Sequence, residues 1–468
     1  MGDGQREKMS DSVGAGVRAP LFGTSGIRGV VGDTITIQFC WDIARAIGST
    51  LEPHARVCIA TDARTSRDML KTPLIMGLMS AGVDVTDLDM LPTPLLAFAT
   101  RELCCAAGLM VTASHNPPEY NGIKLFNGDG AGYTPEQERQ VEDAYYEKRF
   151  RTGVTATSTS DSRTEERYFR FVKRLLGKTR LPAGIKIVVD PGNGAASGYA
   201  SRLFSRLGLN VIPVNDTPDG RFPGRSPEPR EDTLTGTHRF LVEHNADLAA
   251  CFDGDADRVV FLDRQGFIGF DEAVTFVAAQ AVKKSGKKKV AATIEAGRMM
   301  DSALAPLGAE VVRGRVGDVH VAHLARKLDA AIGVETVGVY IFPRAGFYPD
   351  SLLAVLTLLQ GLKHPRDVRD FFASVPRYVR GQRRIPCANP DKPVAMQKVM
   401  AHAARFGDGV VNNIDGLRME FPGGWLLVRP SGTEPLVRII AESTTQVETE
   451  QLLSVAEAVV KDVMKGQT

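Results

Sequence analysis

A serine, a histidine and a lysine lie close together in this chain, directly after an apolar run that is typical of a buried strand. The residues read Thr112-Ala113-Ser114-His115-Asn116-Pro117, and Lys124 follows shortly afterwards. A serine hydroxyl is a weak nucleophile at neutral pH unless a base takes its proton and positive charge stabilises the group that attaches. His115 and Lys124 have the chemistry for these two tasks. The alternative is an ordinary surface turn, because Asn-Pro is itself a turn signal.

Three aspartates at alternate positions form a second candidate site. Asp253, Asp255 and Asp257 directly follow the apolar run Leu248 to Phe252. Alternate residues of an extended chain face the same side, so the three carboxylates can converge. They repel one another unless a cation lies between them, and a small oxygen-rich site with open positions suits Mg²⁺ that is partly bound by phosphate. An EF-hand calcium loop is not indicated, because the residues from Arg258 onwards supply no further ligands.

Two further segments have the composition of phosphate-binding loops. In the run Arg429-Pro430-Ser431-Gly432-Thr433, the guanidinium offers a planar fork for phosphate oxygens, and hydroxyls and backbone amides can surround the anion. The run Phe22-Gly23-Thr24-Ser25-Gly26-Ile27-Arg28-Gly29 combines glycines, hydroxyls and an arginine in the same way. The chain contains neither the nucleotide P-loop nor a complete dinucleotide-binding glycine motif.

Composition argues against several classes of function. The chain has 468 residues, of which 43% are hydrophobic and 24% charged, and its net charge is +2. This near balance gives no signal for binding to nucleic acid or to a membrane. No apolar run is long enough for a transmembrane helix, and the N-terminal residues lack the apolar stretch of a signal peptide. The six cysteines are scattered and form no disulfide scaffold, so we expect a cytoplasmic protein. Residues 1–20 are rich in Gly, Ser and Asp, and we expect them to be disordered.

Apolar runs that alternate with helical patterns must position these side chains. Val57–Ala60, Ile187–Val189 and Val290–Ile294 each lead into turn residues and then a helical stretch, which predicts βαβ units with mixed, mainly parallel sheets. The last part of the chain has a helical stretch from Arg380, strands around a Pro-Gly-Gly turn and a final amphipathic helix. We predict three related α/β domains and a C-terminal α+β domain. The predicted ranges are 21–165 for domain I, 166–270 for domain II, 271–378 for domain III and 379–468 for domain IV.

A serine nucleophile, a carboxylate metal loop and two phosphate-binding loops are the parts that phosphoryl transfer requires. In this order the motifs resemble those of the α-D-phosphohexomutases, whose members include phosphomannomutase/phosphoglucomutase and phosphoglucosamine mutase. The resemblance extends from Leu21 to the C-terminus. Five shorter matches support it: Asp62-Ala63-Arg64-Thr65-Ser66, Pro92-Thr93-Pro94, Asp190-Pro191-Gly192-Asn193-Gly194, Asp219-Gly220-Arg221-Phe222-Pro223 and Val316-Gly317-Asp318.

The resemblance implies an enzyme whose four domains surround a central cleft, and it implies roles for individual residues. Ser114 is expected to be the phosphorylated nucleophile and to bind Mg²⁺ together with Asp253, Asp255 and Asp257. The candidates for proton transfer and charge stabilisation are His115, Lys124, Arg28 and Arg258. The residues expected to bind substrate are Thr24, Ser25, Arg64, Asp318, Glu335, Thr336, Gly338, Arg429, Ser431, Gly432 and Thr433.

The implied reaction moves a phosphoryl group between the 1- and 6-positions of mannose or glucose phosphate. It passes through the phosphoserine enzyme and a sugar 1,6-bisphosphate, which also acts as an activator. The expected partner is a sugar phosphate, and the chain is expected to be a monomer or a homodimer.

The identity of the sugar is less well determined than the reaction. The family's sugar loop usually reads Gly-Glu-x-Ser-Gly-His, whereas this chain has Val334-Glu335-Thr336-Val337-Gly338-Val339. Glu335 can accept hydrogen bonds from sugar hydroxyls, but the two valines cannot donate any. Thr112 fits the mannose and glucose branch better than the bacterial glucosamine branch. Phosphoglucosamine mutase, phosphopentomutase and a non-catalytic sugar-phosphate-binding relative are the alternatives.

Overall fold

Four β-sheets that follow one another along the chain form the framework of the computed structural model. The structure describes residues 20–23, 26–153, 155–177, 179, 181–182, 184–432 and 434–465. The predicted disordered tail therefore lies outside the described residues except for Pro20. The predicted substrate ligands Thr24, Ser25 and Thr433 also lie outside them.

Domain I is built on a mixed six-stranded sheet. Its strands are β1 (Ile27–Val30), β2 (Arg56–Thr61), β3 (Asp84–Met90), β4 (Ala107–Val111), β5 (Tyr120–Asn127) and β6 (Ser158–Ser160). Its helices are α1 (Ile37–Thr50), α2 (Arg67–Ser80), α3 (Thr93–Glu102) and α4 (Pro135–Tyr146). The strand order is β1-β5-β4-β2-β3-β6, with β2 parallel to both β3 and β4 and with β5 antiparallel to β4. The loop between β4 and β5 carries Ser114 at the carboxyl end of a buried strand.

Domain II repeats this design with five strands. Its elements are α5 (Thr164–Leu176), β7 (Lys186–Asp190), α6 (Tyr199–Arg206), β8 (Asn210–Pro213), α7 (Thr235–Glu243), β9 (Leu248–Phe252), β10 (Val259–Asp263) and β11 (Gly266–Ile268). The strand order is β11-β10-β9-β7-β8, and β9 is parallel to β7 but antiparallel to β10. The β9–β10 connection carries the three aspartates.

Domain III has a four-stranded sheet in the order β13-β12-β14-β15. Its elements are α8 (Phe270–Ser285), β12 (Lys289–Thr293), α9 (Arg298–Leu304), β13 (Glu310–Gly314), α10 (Asp318–Lys327), β14 (Ile332–Glu335), β15 (Val339–Ile341), α11 (Ser351–Gln360) and α12 (Asp367–Ala373). The sugar loop is the turn of the antiparallel β14–β15 hairpin.

Domain IV is α+β, with five strands in the order β16-β20-β19-β18-β17 and only antiparallel pairs among its described residues. Its elements are β16 (Val379–Pro386), α13 (Lys392–Ala401), β17 (Val410–Asn412), β18 (Leu417–Glu420), β19 (Gly424–Pro430), β20 (Leu436–Ser443) and α14 (Gln446–Lys465). The predicted helical stretch from Arg380 is wrong at its start, because this segment is β16. Charged residues are common on edge strands such as β16, and they hide the apolar alternation on which a strand prediction depends.

Two of the predicted domain boundaries fall inside helices. The boundary 165/166 lies in the first turn of α5, which begins at Thr164, and 270/271 lies in the first turn of α8, which begins at Phe270. Among the helices of the described residues, none is both long and apolar enough to cross a bilayer.

The hydrophobic core divides the molecule unequally. Domains I, II and III share one large cluster, to which Phe98, Phe204 and Leu353 all belong. Domain IV has its own core, and the small apolar cluster that joins it to domain III consists of Ile294, Trp425, Leu427 and Ile440. The first three domains therefore form one packed unit, whereas domain IV is attached through a much smaller apolar contact.

Candidate active site

Ser114 occupies a strained turn after β4. Its φ is +50°, a left-handed conformation that a residue with a side chain adopts only when its surroundings impose it. The backbone N–H of Ser114 donates to Oγ1 of Thr112 at 2.8 Å, and its hydroxyl donates to Oδ2 of Asp253 at 2.6 Å. His115 Nδ1 lies 3.4 Å from the same hydroxyl oxygen. The serine is thus held between its own loop and the aspartate loop of domain II.

Arg64 supports this turn and does not face the cleft. Its Nε donates to Asp62 at 3.0 Å, and its two terminal nitrogens donate to the backbone carbonyls of Ser114, Asn116, Pro117 and Tyr120 at 2.5–2.9 Å. All five N–H donors of the guanidinium are therefore used, and the side chain is fully buried. The prediction that Arg64 binds substrate is not supported by this arrangement, because no donor remains for a ligand.

The three aspartates converge as the sequence suggested. Oxygens of Asp253, Asp255 and Asp257 all lie within 4.8 Å of one another, and the three residues are buried. Oδ1 of Asp255 and Oδ1 of Asp257 have no hydrogen-bond partner within the described part of the chain. Buried carboxylate oxygens without partners are unfavourable, and hard oxygen donors are what Mg²⁺ prefers. The donor set therefore fits a magnesium ion.

Glycines allow the serine loop and the aspartate loop to touch. A Cβ added to Gly254 would lie 2.4 Å from the carbonyl oxygen of Ser114, and a Cβ on Gly194 would lie 2.5 Å from the carbonyl oxygen of Gly254. Thr93 of domain I also holds the aspartate loop, because its hydroxyl donates to Asp255 Oδ2 at 2.7 Å. These contacts explain the short Pro-Thr-Pro and Asp-Pro-Gly-Asn-Gly matches, for which the sequence alone indicated no role.

Lys124 is the principal cation of the cluster. Its Nζ donates to Asp255 Oδ2 and to Asp257 Oδ2, both at 2.6 Å. Burial acts to lower the pKa of Lys124, but the two carboxylates outweigh it, so its pKa is raised and the amine stays protonated. Burial acts to raise the pKa of Asp255, but Lys124 outweighs it and the pKa is lowered. The pKa of Asp253 is raised well above its ordinary value by burial and by the other two aspartates.

The other predicted catalytic side chains surround the serine from the less buried side. Burial, followed by the charges of Arg258 and Arg28, lowers the pKa of His115 to about 2, so its imidazole is neutral. Arg28 donates to Oδ1 of Asn116 at 3.0 Å. Arg258 lies 3.8 Å from Asp257, and its backbone N–H donates to Asp253 at 3.1 Å. Ser114, Lys124 and Asp257 are buried, whereas His115, Arg28 and Arg258 are half-buried, so a ligand reaches the serine from the side of these last three residues.

The sugar loop is placed by domain II. A Cβ on Gly338 would lie 2.6 Å from the carbonyl oxygen of Val259, so this glycine permits close packing against β10. Glu335 accepts a hydrogen bond from the backbone N–H of Gly317 at 2.7 Å, and burial together with the Asp318 carboxylate raises its pKa to about 7. Thr336 and Val337 line a cavity of about 340 Å³. The loop therefore contributes one carboxylate, Glu335, close to Asp318 of α10, and the apolar side chain of Val337.

The predicted phosphate-binding loop of domain IV lies on a cleft of about 670 Å³. Arg429, Ser431 and Gly432 line it from domain IV, and residues of domains I and III line its other walls. Nε of Arg429 is buried without a hydrogen-bond partner among the described residues. Lys392 stabilises the loop, because its Nζ donates to the carbonyls of Ser431 and Glu434 at 2.6 Å each.

Sequence reasoning missed two residues that organise the site. Lys392 precedes a proline at the start of α13, and no local pattern distinguishes it from a surface lysine. Thr93 belongs to a quoted match, but its contact with Asp255 joins residues 162 positions apart, which a linear sequence does not show.

Models of one family match all four parts of the chain. They are described as phosphoglucomutase/phosphomannomutase alpha/beta/alpha domain I at residues 19–152, domain II at 166–266, domain III at 271–378 and the C-terminal domain at 384–459. The chain is also similar to individual proteins. One named probable phosphoglucosamine mutase, from Pyrococcus abyssi, is 38% identical over 450 residues, which cover 95% of this chain and 98% of that protein.

Two further relatives agree with this result. A probable phosphoglucosamine mutase from Methanothermobacter thermautotrophicus is 37% identical over 434 residues, which cover 91% of this chain and 94% of that protein. The crystal structure of a phosphoglucomutase/phosphomannomutase family protein from Burkholderia thailandensis has a TM-score of 0.85 at 28% identity, covering 96% of this chain and 98% of that one. The chain therefore belongs to the phosphoglucomutase/phosphomannomutase family of α-D-phosphohexomutases, intramolecular phosphotransferases that act on sugar phosphates.

Proposed function

We propose that this chain is a phosphoglucosamine mutase, which interconverts the 1- and 6-phosphates of glucosamine. The observation that carries this choice is the similarity to relatives of that name over nearly the whole chain, at 36–38% identity. The choice of amino sugar replaces mannose or glucose, which the sequence had favoured.

The sugar loop supports an amino sugar on chemical grounds. Glucosamine phosphate carries an ammonium group, which needs acceptors, whereas Val337 and Val339 remove the donors that the usual family loop offers to hydroxyls. Glu335 remains, with Asp318 and Glu295 near enough to raise its pKa further. A cation among these carboxylates relieves their mutual repulsion, just as an opposite charge favours the ionised form of an acid.

Thr112 does not favour another sugar. Its hydroxyl donates to Asp62 at 2.6 Å and accepts the backbone N–H of Ser114 at 2.8 Å, and the residue is fully buried. Because both hydrogen bonds of the Thr112 hydroxyl stabilise the serine loop and the side chain is buried, Thr112 cannot contact the sugar. Thr112 therefore has a structural role in the turn that carries Ser114.

The proposed mechanism assigns one task to each part of the site. Ser114 carries the phosphoryl group and passes it to the free hydroxyl of the sugar phosphate, then takes a phosphoryl group back from the other end. Lys124, Arg28 and Arg258 stabilise charge around the transferring group, and the neutral imidazole of His115 lies beside the Ser114 hydroxyl. Arg429, with Ser431 and Gly432, binds the phosphate that is not reacting. The sugar 1,6-bisphosphate must turn round between the two transfers. It also rephosphorylates Ser114 when the serine has lost its phosphoryl group.

Asp253, Asp255 and Asp257, together with the phosphorylated Ser114, would hold Mg²⁺. When bound, the ion neutralises charge on the phosphoryl oxygens. The aspartates also keep Lys124 protonated and fixed, which is a contribution of the chain itself.

A coupled assay over the 1-phosphates of glucosamine, glucose, mannose and a pentose tests the proposal, with glucose 1,6-bisphosphate and Mg²⁺ present. We expect kcat/KM for glucosamine 1-phosphate to exceed the others by at least about tenfold, because a site built for one polar group discriminates against its absence. Ser114→Ala should be inactive and should lack the phosphoryl mass seen in the parent protein. Equal or higher kcat/KM for glucose or mannose would favour the second candidate, a phosphoglucomutase/phosphomannomutase, which the Burkholderia structure supports by its name.

Inactivity on all four sugars, without phosphoserine in the parent protein, would indicate a non-catalytic sugar-phosphate-binding relative.

A further inference from the structure

The guanidinium that is expected to bind substrate phosphate is already bound to a carboxylate of another domain. Arg429, at the end of β19, has its NH1 2.7 Å from Oε1 of Glu295, which lies in the loop after β12. Both side chains are largely buried, at 12% and 14% exposure. Asp415 lies further away, at 3.7 Å from NH2 of Arg429, and its Oδ2 also accepts the backbone N–H of Val316 at 3.0 Å.

The contact between domains III and IV does not depend on this ion pair. Ile294 packs against Trp425, Leu427 and Ile440 in the apolar cluster described above. Polar contacts hold the same interface on both sides of Glu295: Arg418 donates to the carbonyls of Ile294 and Ala296, Arg298 pairs with Glu420, and the backbone N–H of Arg298 donates to Glu442.

The loop that carries Glu295 is therefore fixed by its own backbone. Its carboxylate is presented to Arg429 by a framework that would remain if the carboxylate were neutral. The contacts on both sides of Glu295 hold the two domains together independently of the ion pair.

We propose that Glu295 is a built-in competitor for the phosphate-binding site, which occupies Arg429 until a sugar phosphate displaces it. The proposal rests on the assignment of Arg429 as the phosphate ligand. Arg429 Nε has no hydrogen-bond partner among the described residues, and its NH2 makes only the longer contact with Asp415. A phosphate dianion can use the planar fork bidentately, which a single carboxylate oxygen on NH1 does not do, so phosphate is the stronger ligand.

An exchangeable carboxylate has a use in the catalytic cycle. The bisphosphate must leave Arg429 in order to turn round, and this would leave a partly buried cation without a partner. Glu295 can occupy the guanidinium during that interval, which lowers the cost of releasing one phosphate before the other is bound. The residue thus sets how tightly the non-reacting phosphate is held.

The test is a binding measurement on Glu295→Gln, which keeps the size of the side chain and removes its charge. Dissociation constants for glucose 6-phosphate, glucosamine 6-phosphate and inorganic phosphate are measured by calorimetry. We expect all three to fall by about threefold to tenfold, because the competing anion is gone. Glu420→Gln is the matched control, since it removes another carboxylate of the same interface, the one that pairs with Arg298 and Arg418, without touching Arg429. We expect unchanged affinities in that variant.

A double-mutant cycle identifies the partner. In an Arg429→Ala background, Glu295→Gln should produce no further tightening. Unchanged or weaker binding in Glu295→Gln would overturn the proposal and leave the pair as a docking contact. Tightening that persists without Arg429 would overturn it as well.

If Glu295→Gln does not fold, Glu295→Asp provides the same test, because its shorter carboxylate reaches Arg429 less well. Since glucose 6-phosphate and inorganic phosphate are among the probes, tighter binding would support the competitor role even if glucosamine proved to be the wrong sugar.

Discussion

Arg64 and Arg429 were both predicted to bind substrate, yet the fold uses them in opposite ways. Arg64 gives all five donors to Asp62 and to four backbone carbonyls of the serine loop, and it is fully buried. Arg429 is bound by the side-chain carboxylates of Glu295 and Asp415, and one of its donors has no partner in the described part of the chain. Backbone carbonyls are permanent partners, whereas side-chain carboxylates can be exchanged for a ligand.

The same contrast separates the two halves of the active site. The aspartate loop contributes Ala256 to the core shared by domains I to III, and Gly254 brings its backbone into direct contact with the serine loop. The proposed phosphate-binding loop lies on domain IV, which is joined to domain III by a small apolar cluster. Preorganisation suits the half that must align a phosphoryl group, and exchangeable contacts suit the half that must release and rebind one.

The largest expected effect is in the preorganised half, at Asp255. Asp255→Asn removes a carboxylate that is placed to bind metal and one of the two that hold Lys124. We expect kcat to fall by about 10²–10³-fold, as when a group that stabilises transition-state charge is lost. The measurement is kcat with Mg²⁺, with chelator and after Mg²⁺ is restored. Asp329→Asn, an exposed partner of Lys287, is the control. Full activity of the parent protein in chelator would contradict the metal assignment.

Arg64→Lys tests whether Arg64 acts only through the serine loop. One ammonium group cannot replace five donors, so the turn should shift and kcat should fall by about 10- to 100-fold. KM should change little, because Arg64 does not reach the cleft. The fraction of Ser114 that is phosphorylated, measured by intact mass after incubation with bisphosphate, should fall in parallel. Arg67→Lys on the neighbouring turn of α2 is the control. A raised KM with unchanged kcat would restore the predicted contact with substrate.

Arg429→Lys should have the opposite signature. The charge is kept but the bidentate fork is lost, so we expect KM to rise by about tenfold with a smaller change in kcat. More sugar bisphosphate should escape into solution per turnover, which can be followed by ³¹P NMR. Ser431→Ala should act in the same direction but more weakly, since a neutral donor contributes less. Arg405→Lys, a surface partner of Asp462 in domain IV, is the control. If KM and leakage are unchanged, the phosphate is bound elsewhere.

The last expected effect concerns stability rather than activity and comes from Glu335. Its pKa is raised from 4.5 to about 7, so its protonated form is favoured on folding, and this stabilisation is lost as the pH rises through about 7. Gln resembles the protonated acid. Above pH 7, Glu335→Gln should therefore increase the free energy of unfolding by up to about 3 kcal/mol and raise the melting temperature accordingly. The increase should be smallest near pH 5. Thermal unfolding at pH 5 and pH 8 measures this, with exposed Glu52→Gln as control. A difference in melting temperature between variant and parent protein that is larger at pH 5 than at pH 8 would contradict this prediction.

The elements that the sequence predicted best are those whose signal is local. The strands before Ser114 and before the aspartates are continuous apolar runs, and β4 and β9 lie where these runs are. Strand β16 was missed because its charged residues resemble a solvated helix. This segment is a strand because it pairs with β20, and the sequence of β16 gives no sign of that pairing.

The candidate site divides in the same way. Residue type and spacing were enough to propose Ser114, the aspartate triplet and Arg429 as candidates, because phosphoryl transfer needs a nucleophile, a metal and a cation and few residue types supply them. The part played by Thr93, Gly254 and Lys392 could not be predicted, because each acts through a neighbour that is distant in the chain.

The sequence by itself therefore determined the family of this protein and the kind of reaction that the family performs, and it predicted which loops carry that reaction. Tertiary structure alone decided how each charged group is used. It buried Arg64 under a backbone turn, placed Glu295 against Arg429 across a domain boundary, and put Lys124 between two aspartates. The physical reason is that the function of an ionised side chain depends on its desolvation and on the partners within a few ångströms, and these are set by packing between segments far apart in the chain.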